Sequence, residues 1–165
     1  MIVKKHIIYR VVPFDANVKE ECPYTQETHE IDGRYKKKIE EALEKHRPEN
    51  YPQRSNCLFV CFSKENAYEW AYIKYMKQDD TQYKLLTLEI TGKLYWFKAE
   101  CYNLLHKGSS NEQIDKACKE YWNSSIENPT NSVIGKEYEG LFVGDAVVKA
   151  IESKIFINGE SFDVE

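Results

Sequence analysis

The segment Glu137-Tyr-Glu-Gly-Leu-Phe-Val-Gly-Asp-Ala-Val-Val148 constrains the fold more than any other, because it drives two carboxylates into the start of an apolar strand. Side chains of an extended backbone alternate between faces, so Glu137 and Glu139 project to one side with Leu141 and Val143, while Tyr138 turns to the other. One face of this strand begins charged and becomes buried. A carboxylate at such a junction can meet a developing positive charge on a bound molecule, although an ordinary solvated strand end has the same pattern.

The rest of the chain supplies a core for that strand to join. At 165 residues, 42% hydrophobic and 13% aromatic, it suits one domain over residues 1–165 that buries its apolar surface without staples. No apolar run approaches the length of a membrane span, and the start Met1-Ile-Val-Lys-Lys-His6 lacks the features of a secretory signal, so a cytoplasmic protein is expected. Five cysteines, an odd number without metal-type pairing, fit reduced thiols better than a disulfide framework. The net charge of −4 weighs against broad nucleic-acid binding. Residues 36–38, all lysine, could attract phosphate, but the interspersed Glu40, Glu41 and Glu44 give this stretch the pattern of a solvated helix face. His6, His29, His46 and His106 lack the spacing of a zinc site, and no glycine-rich phosphate loop is present, so no metal is expected.

Periodicity predicts alternating elements. His6–Val12, rich in β-branched and aromatic residues and stopped by Pro13, reads as a first strand, followed by a loop over 15 to 33. Arg34–His46 reads as a helix with Tyr35, Ile39, Ala42 and Leu43 on its apolar stripe. Arg54–Phe62 reads as a strand buried on both faces, placing Cys57 and Cys61 on one side. Ser63 caps a helix over Lys64–Lys77 that packs by Trp70. Tyr83–Ile90 and Lys93–Phe97 read as two strands joined by a turn at Thr91-Gly92. A helix over Asn111–Trp122, a polar stretch over Asn123–Lys136, a strand over about Gly140–Ile151 and an edge hairpin arm over Lys154–Phe162 complete the chain. The expected class is α+β with predominantly antiparallel strands.

Chemistry gathers from the ends of several elements. Tyr9-Arg10 lies in the first strand, Arg54-Ser55 precedes the second, and Glu137-Tyr-Glu139 precedes the last long one. A planar guanidinium suits a diphosphate because it donates two charge-assisted hydrogen bonds, and a serine hydroxyl orients neighbours without carrying charge. A fixed carboxylate can stabilise the oxocarbenium character of a sugar losing a good leaving group while gripping a ribose hydroxyl. The plainer alternatives are a surface ion pair for Arg10, a turn cap for Ser55 and solvated glutamates.

The ordered set Tyr9-Arg10, Ser55 and Glu137-Tyr138-Glu139 resembles the arginine-serine-glutamate signature of ADP-ribosyltransferases, including its paired-glutamate loop. Residues 57–62, the helix with Ala67 and Trp70, Leu85 to Gly92, Asn128-Pro-Thr130 and Glu139 to Gly144 together are similar to the layout of small rifampin-type ADP-ribosyltransferases. They are also similar to an uncharacterised bacterial family with a Pro-Ser-Arg-like turn before the buried strand and a Tyr-Trp pair, here Tyr121-Trp122, upstream of the glutamate. These segments cover about two-thirds of the chain. Two positions depart from the pattern. Asn56-Cys57 follows the serine where Thr-Ser is usual, and rifampin-type enzymes carry a histidine near the position of Arg10, a role open to His6.

The resemblance implies a split, mainly antiparallel sheet with flanking helices and NAD, as co-substrate, in the cleft. It implies that Arg10 holds the diphosphate or the nicotinamide-side ribose, that Arg54 and Ser55 bind and brace, and that Glu139 contacts the ribose 2′-hydroxyl and stabilises the cation as nicotinamide departs. Glu137 then orients the acceptor, a protein or small molecule; relatives of the fold also modify nucleic acids. Tyr9, Phe59, Tyr68 and Trp70 are candidates to stack on nicotinamide, though each also suits the core. The implied activity is NAD-dependent ADP-ribosyl transfer, with NAD glycohydrolysis or a catalytically silent binding module as alternatives. On this reading Glu139→Gln removes turnover with little loss of stability.

Overall fold

Strand-forming residues set the framework of the protein, which a computed structural model describes over residues 1–16, 34–75, 80–130 and 137–164. Strand β1 runs Ile2–Pro13, β2 Leu58–Val60, β3 Thr81–Lys98, β4 Tyr138–Ile157 and β5 Glu160–Asp163. They pair antiparallel in the order β1-β3-β4-β2, with β5 added to β4. Helices α1 (Arg34–Lys45), α2 (Lys64–Tyr75), α3 (Glu100–Asn103) and α4 (Asn111–Asn123) complete a mixed α+β architecture with the antiparallel sheet expected from the sequence. Among the described residues no helix is long and apolar enough to cross a membrane. Residues 17–33 of the first expected loop, with His29, the end of the second expected helix at residues 76–77 and residues 131–136 of the polar stretch lie outside the described residues.

β3 and β4 dominate, pairing from Thr81 opposite Phe156 to Lys98 opposite Tyr138, with one register shift between Thr87 and Leu88. This corrects the expected reversal at Thr91-Gly92, where one strand passes through without turning. Gly92 and Gly144 face each other across the ladder, both with positive φ, +155° and +149°. A side chain on either would come within 2.8 Å of the other's Cα, so these glycines mark a close approach of two strands. β1 lies along β3 from Tyr83 to Lys93, and β2 along the start of β4. A bridge between Tyr9 and Cys61, with N–H···O distances of 2.9 and 2.7 Å, then joins β1 to the end of β2. The sheet thereby curls back towards itself.

Three apolar clusters follow from this curl. Ile8, Leu88, Ile90, Trp96, Phe142, Leu58 and Val60 unite the four main strands in one of them. Ala67 and Ala71 pack α2 onto Val11, Cys61, Tyr83 and Leu85. Ile39 and Leu43 from α1 meet Ile114, Cys118, Tyr121 and Trp122 from α4 over Phe97 and Leu141. Four local expectations need correction. Residues Arg54–Asn56 form a 3-10 turn, so β2 is shorter than expected. Cys57 and Cys61 are both buried but in different clusters, not on one face. α2 is anchored by its alanines, while Trp70 stays half-buried and donates from Nε1 to the Tyr138 carbonyl at 2.8 Å. β4 extends well past Ile151 into a hairpin with β5, turning at Asn158 and Gly159 with φ of 50° and 82°.

Gly144→Ala is expected to destabilise the protein by at least about 2 kcal/mol, because it combines positive φ with a backbone clash. Urea denaturation reads this directly, and an unchanged midpoint would contradict the close approach of β3 and β4.

Candidate functional site

The turn after Pro52 delivers Arg54 into the interior: Cys57 N–H donates to the Arg54 carbonyl at 3.1 Å and Asn56 N–H to the Gln53 carbonyl at 3.0 Å. The pairing of β2 with β4 sets Phe59 opposite Leu141 and Val60 opposite Gly140, which brings Glu139 to the same end. Arg54 and Glu139 are each only 6% exposed. Charged side chains are seldom buried unless paired, and these form an ion pair through Arg54 Nη1 and Glu139 Oε1.

Three helices complete the cluster. From α1, Glu40 receives Arg54 in a parallel fork, Nε to Oε2 at 3.0 Å and Nη2 to Oε1 at 2.9 Å. From α4, the Tyr121 hydroxyl accepts from Arg54 Nη1 at 2.7 Å and donates to Glu139 Oε1. From α3, the Tyr102 hydroxyl donates to Glu139 Oε2 at 2.8 Å. The rings of Phe59, Tyr121 and Tyr102 stand 4.8, 5.2 and 5.4 Å from the guanidinium carbon, within cation–π range.

These contacts fix the protonation of the cluster. Burial works against the charge of Arg54, but the pull of Glu139, with Tyr121, Tyr102 and Glu40, outweighs it and raises the guanidinium well above its usual value. Burial, then neighbouring Glu139, pushes the Tyr102 phenol well above 10. For Tyr121 burial raises the phenol and Arg54 opposes, with the same net direction. Burial pushes the Cys57 thiol beside them up to about 12, so it is inert as a nucleophile.

The structure brings some of the expected site residues together and separates others. Arg10 on β1 donates from Nη1 to the Phe59 carbonyl at 2.9 Å, and the Phe59 ring in turn lies against Arg54. Glu137 is half-buried and accepts from the Asn103 amide. Ser55 is exposed on the turn. Tyr9, Tyr68 and Trp70 pack against the cluster beneath α2, whereas Phe59 packs against the one between α1 and α4. His6 is exposed on β1. Glu40 and Tyr102 were not among the expected site residues. Glu40 adjoins Ile39, one of the buried members of the α1 stripe, and this position is its one sequence signal; α3 carries no periodic pattern long enough to reveal Tyr102.

The chain belongs to the family described as Protein of unknown function (DUF2441), which matches residues 12–153. That span holds Glu40, Arg54, Tyr102, Tyr121 and Glu139, and leaves Arg10 two positions outside it. No curated protein matches the chain.

Burial of Glu139 against Arg54 overturns the expectation that Glu139→Gln spares stability. The substitution removes the buried partner of Arg54 and leaves it only the more exposed Glu40 carboxylate, and is expected to cost about 3 kcal/mol, against less than about 1 kcal/mol for Glu137→Gln; urea titrations of the two variants compare them. Alkaline pH should act on the two phenols. Their folded values lie above the ordinary 10, so the unfolded chain releases those protons first; stability is complete below pH 10 and is lost as pH rises above it. Tyr121→Phe is expected to flatten that alkaline decline, as measured by the urea midpoint against pH.

Proposed function

We propose that this protein is an NAD-dependent ADP-ribosyltransferase on an ADP-ribosyltransferase-like split sheet, breaking the nicotinamide–ribose bond and passing ADP-ribose to a protein or small-molecule acceptor. One observation carries the reading. Arg10, Arg54 and Glu139, from three segments far apart in the chain, form one line of contacts: Arg10 to the Phe59 carbonyl at 2.9 Å, the Phe59 ring 4.8 Å from Arg54, and Arg54 paired with Glu139. A cation for a diphosphate thus lies near an anion for a ribosyl cation.

In this reaction the bonding pair of the glycosidic carbon–nitrogen bond leaves with nicotinamide, and positive charge develops on the ribose. Glu139 stabilises that charge and accepts a ribose hydroxyl. It is suited to both tasks because Arg54 and Tyr121 hold Oε1 and Tyr102 holds Oε2, so its orientation costs nothing at the moment of reaction. A carboxylate offers about four acceptor positions. Among the described residues three partners occupy them, which leaves room for one hydroxyl on Oε2. Glu137, two residues earlier and less buried, orients the acceptor, and water in that place gives the glycohydrolase. Ser55 stands at the rim of the Arg54 turn.

The burial of the same network, with Glu139 only 6% exposed, favours a second reading, a binding module without catalysis in which Arg54 and Glu139 only hold α1, α3 and α4 to the sheet. Two measurements separate the readings. NAD is expected to raise the melting temperature, as a ligand of the folded state does, and the wild type is expected to release nicotinamide. Assayed at a temperature where circular dichroism shows it folded, Glu139→Gln should lose at least about 100-fold in kcat. A melting shift without nicotinamide release establishes the silent module, and no shift removes NAD from the account.

A further inference from the structure

We propose that the outer edge of Arg54 is a diphosphate subsite that Glu40 occupies in the ligand-free protein and vacates when the ligand binds. The inference deepens the NAD reading and rests on it only for the choice of a diphosphate, since it requires binding and no bond cleavage. Arg54 has two working edges. Nη1 is committed inward to Glu139 and Tyr121, whereas Nε and Nη2 face Glu40 in a two-bond fork of 3.0 and 2.9 Å. A phosphate presents two oxygens to a guanidinium in that same parallel arrangement.

Exposure gives the direction of entry. The side chains of Arg54 and Glu139 are 6% and 8% exposed and that of Glu40 is 31% exposed, so the cluster opens to water on the Glu40 side. The exchange leaves the framework standing. α1 is docked by Ile39 and Leu43, and the Trp122 indole donates to the Leu43 carbonyl at 2.7 Å, none of which needs the Glu40 carboxylate. Arg54 keeps its charge compensated by Glu139 throughout.

Charge explains why Glu40 regulates the subsite. Two carboxylates against one guanidinium give the closed cluster an excess of negative charge, which repels an incoming anion. With Glu40 swung into solvent, Arg54 and Glu139 are balanced and two guanidinium N–H donors are open. Glu40 therefore acts as an internal competitor that sets the ligand concentration at which the subsite fills.

Isothermal titration of the full chain with inorganic pyrophosphate tests the proposal. Glu40→Gln should bind at least tenfold more tightly than the wild type, because it removes the competing charge and keeps the side chain's shape. Glu44→Gln is the control: Glu44 lies on the same helix, pairs with Arg47, and carries an equal charge. It should stay within twofold of the wild type. Should Glu40→Gln fail to fold, Glu40→Asp, which shortens the reach, is expected to tighten binding in the same direction. Equal affinities in the wild type and the Glu40 variant, equal gains in the Glu40 and Glu44 variants, or no pyrophosphate binding by any of them overturns it. Absence of nicotinamide release alongside a selective gain in Glu40→Gln would overturn the transferase and leave the subsite standing.

Discussion

A guanidinium buried at Arg54 is the constraint on which much of this molecule depends. Withdrawing such an ion from water costs several kcal/mol even after relaxation, so it survives only where other groups converge on it. Here they come from α1, α3, α4 and the start of β4. The ion pair therefore ties α3 and α4 to the sheet, while α1 reaches it through Glu40 and is docked by its own apolar contacts. Supporting contacts between α1 and α4 repeat the arrangement at the next level, with Trp122 reaching the Leu43 carbonyl and His46 pairing with Asp115 at 3.0 Å. Apolar packing supplies the gross drive for this docking, and the polar contacts select its register.

The second constraint is the course of β3 and β4. An antiparallel pair of this length lying flat would leave β1 and β2 at opposite edges of the sheet with no reason to meet. The register shift after Thr87 and the close approach at Gly92 and Gly144 interrupt a regular ladder, and the Tyr9–Cys61 bridge fastens the two outer strands. Arg10 follows Tyr9 directly, so the curl carries it to the Phe59 carbonyl. Gly140 serves the same geometry from the other side: a side chain there would meet Val60 Cγ2 at 2.6 Å and Trp96 Cζ3 at 2.7 Å, one residue from Glu139. Bare backbone at that position lets β2 and its preceding turn come close enough for Arg54 to reach the carboxylate.

Local pattern made much of this readable in the sequence. The helices at 34–45 and 111–123 are close to the elements that their apolar stripes predict, and the alternation after Glu137 places Glu139, Leu141 and Val143 on one face. The same reasoning failed where distance in the chain mattered. Gly92 has the local features of a turn, since Thr-Gly beside a charged residue suits one; its partner Gly144, 52 positions later, makes it a point of strand contact. Arg54, next to Ser55 and Asn56, looks like a polar strand entrance, and nothing nearby in the chain says that it turns inward. Glu40 lies among glutamates and lysines that suit a solvated helix face, and its partner is 14 residues away across the fold. Pairings of buried charge are set by tertiary geometry, and single-sequence periodicity carries no record of them.

The consequence for chemistry is that stability and the proposed catalysis draw on the same carboxylate. In water a carboxylate meets a developing cation only after its hydration shell has rearranged. At Glu139 two phenols and a guanidinium replace that shell and stay fixed. Such a group favours a positive centre that forms beside it and offers little to one that does not come into contact. A dissociative reaction, in which charge appears on the bound sugar before any nucleophile attacks, is the type that gains most from an anion held this way. The constraint also runs in reverse: any change that loosens Arg54 to widen the cleft also releases Glu139 from its orientation. Access is then gained without harm only at the partner that touches Arg54 and does not touch Glu139, and among the carboxylates of the cluster that partner is Glu40.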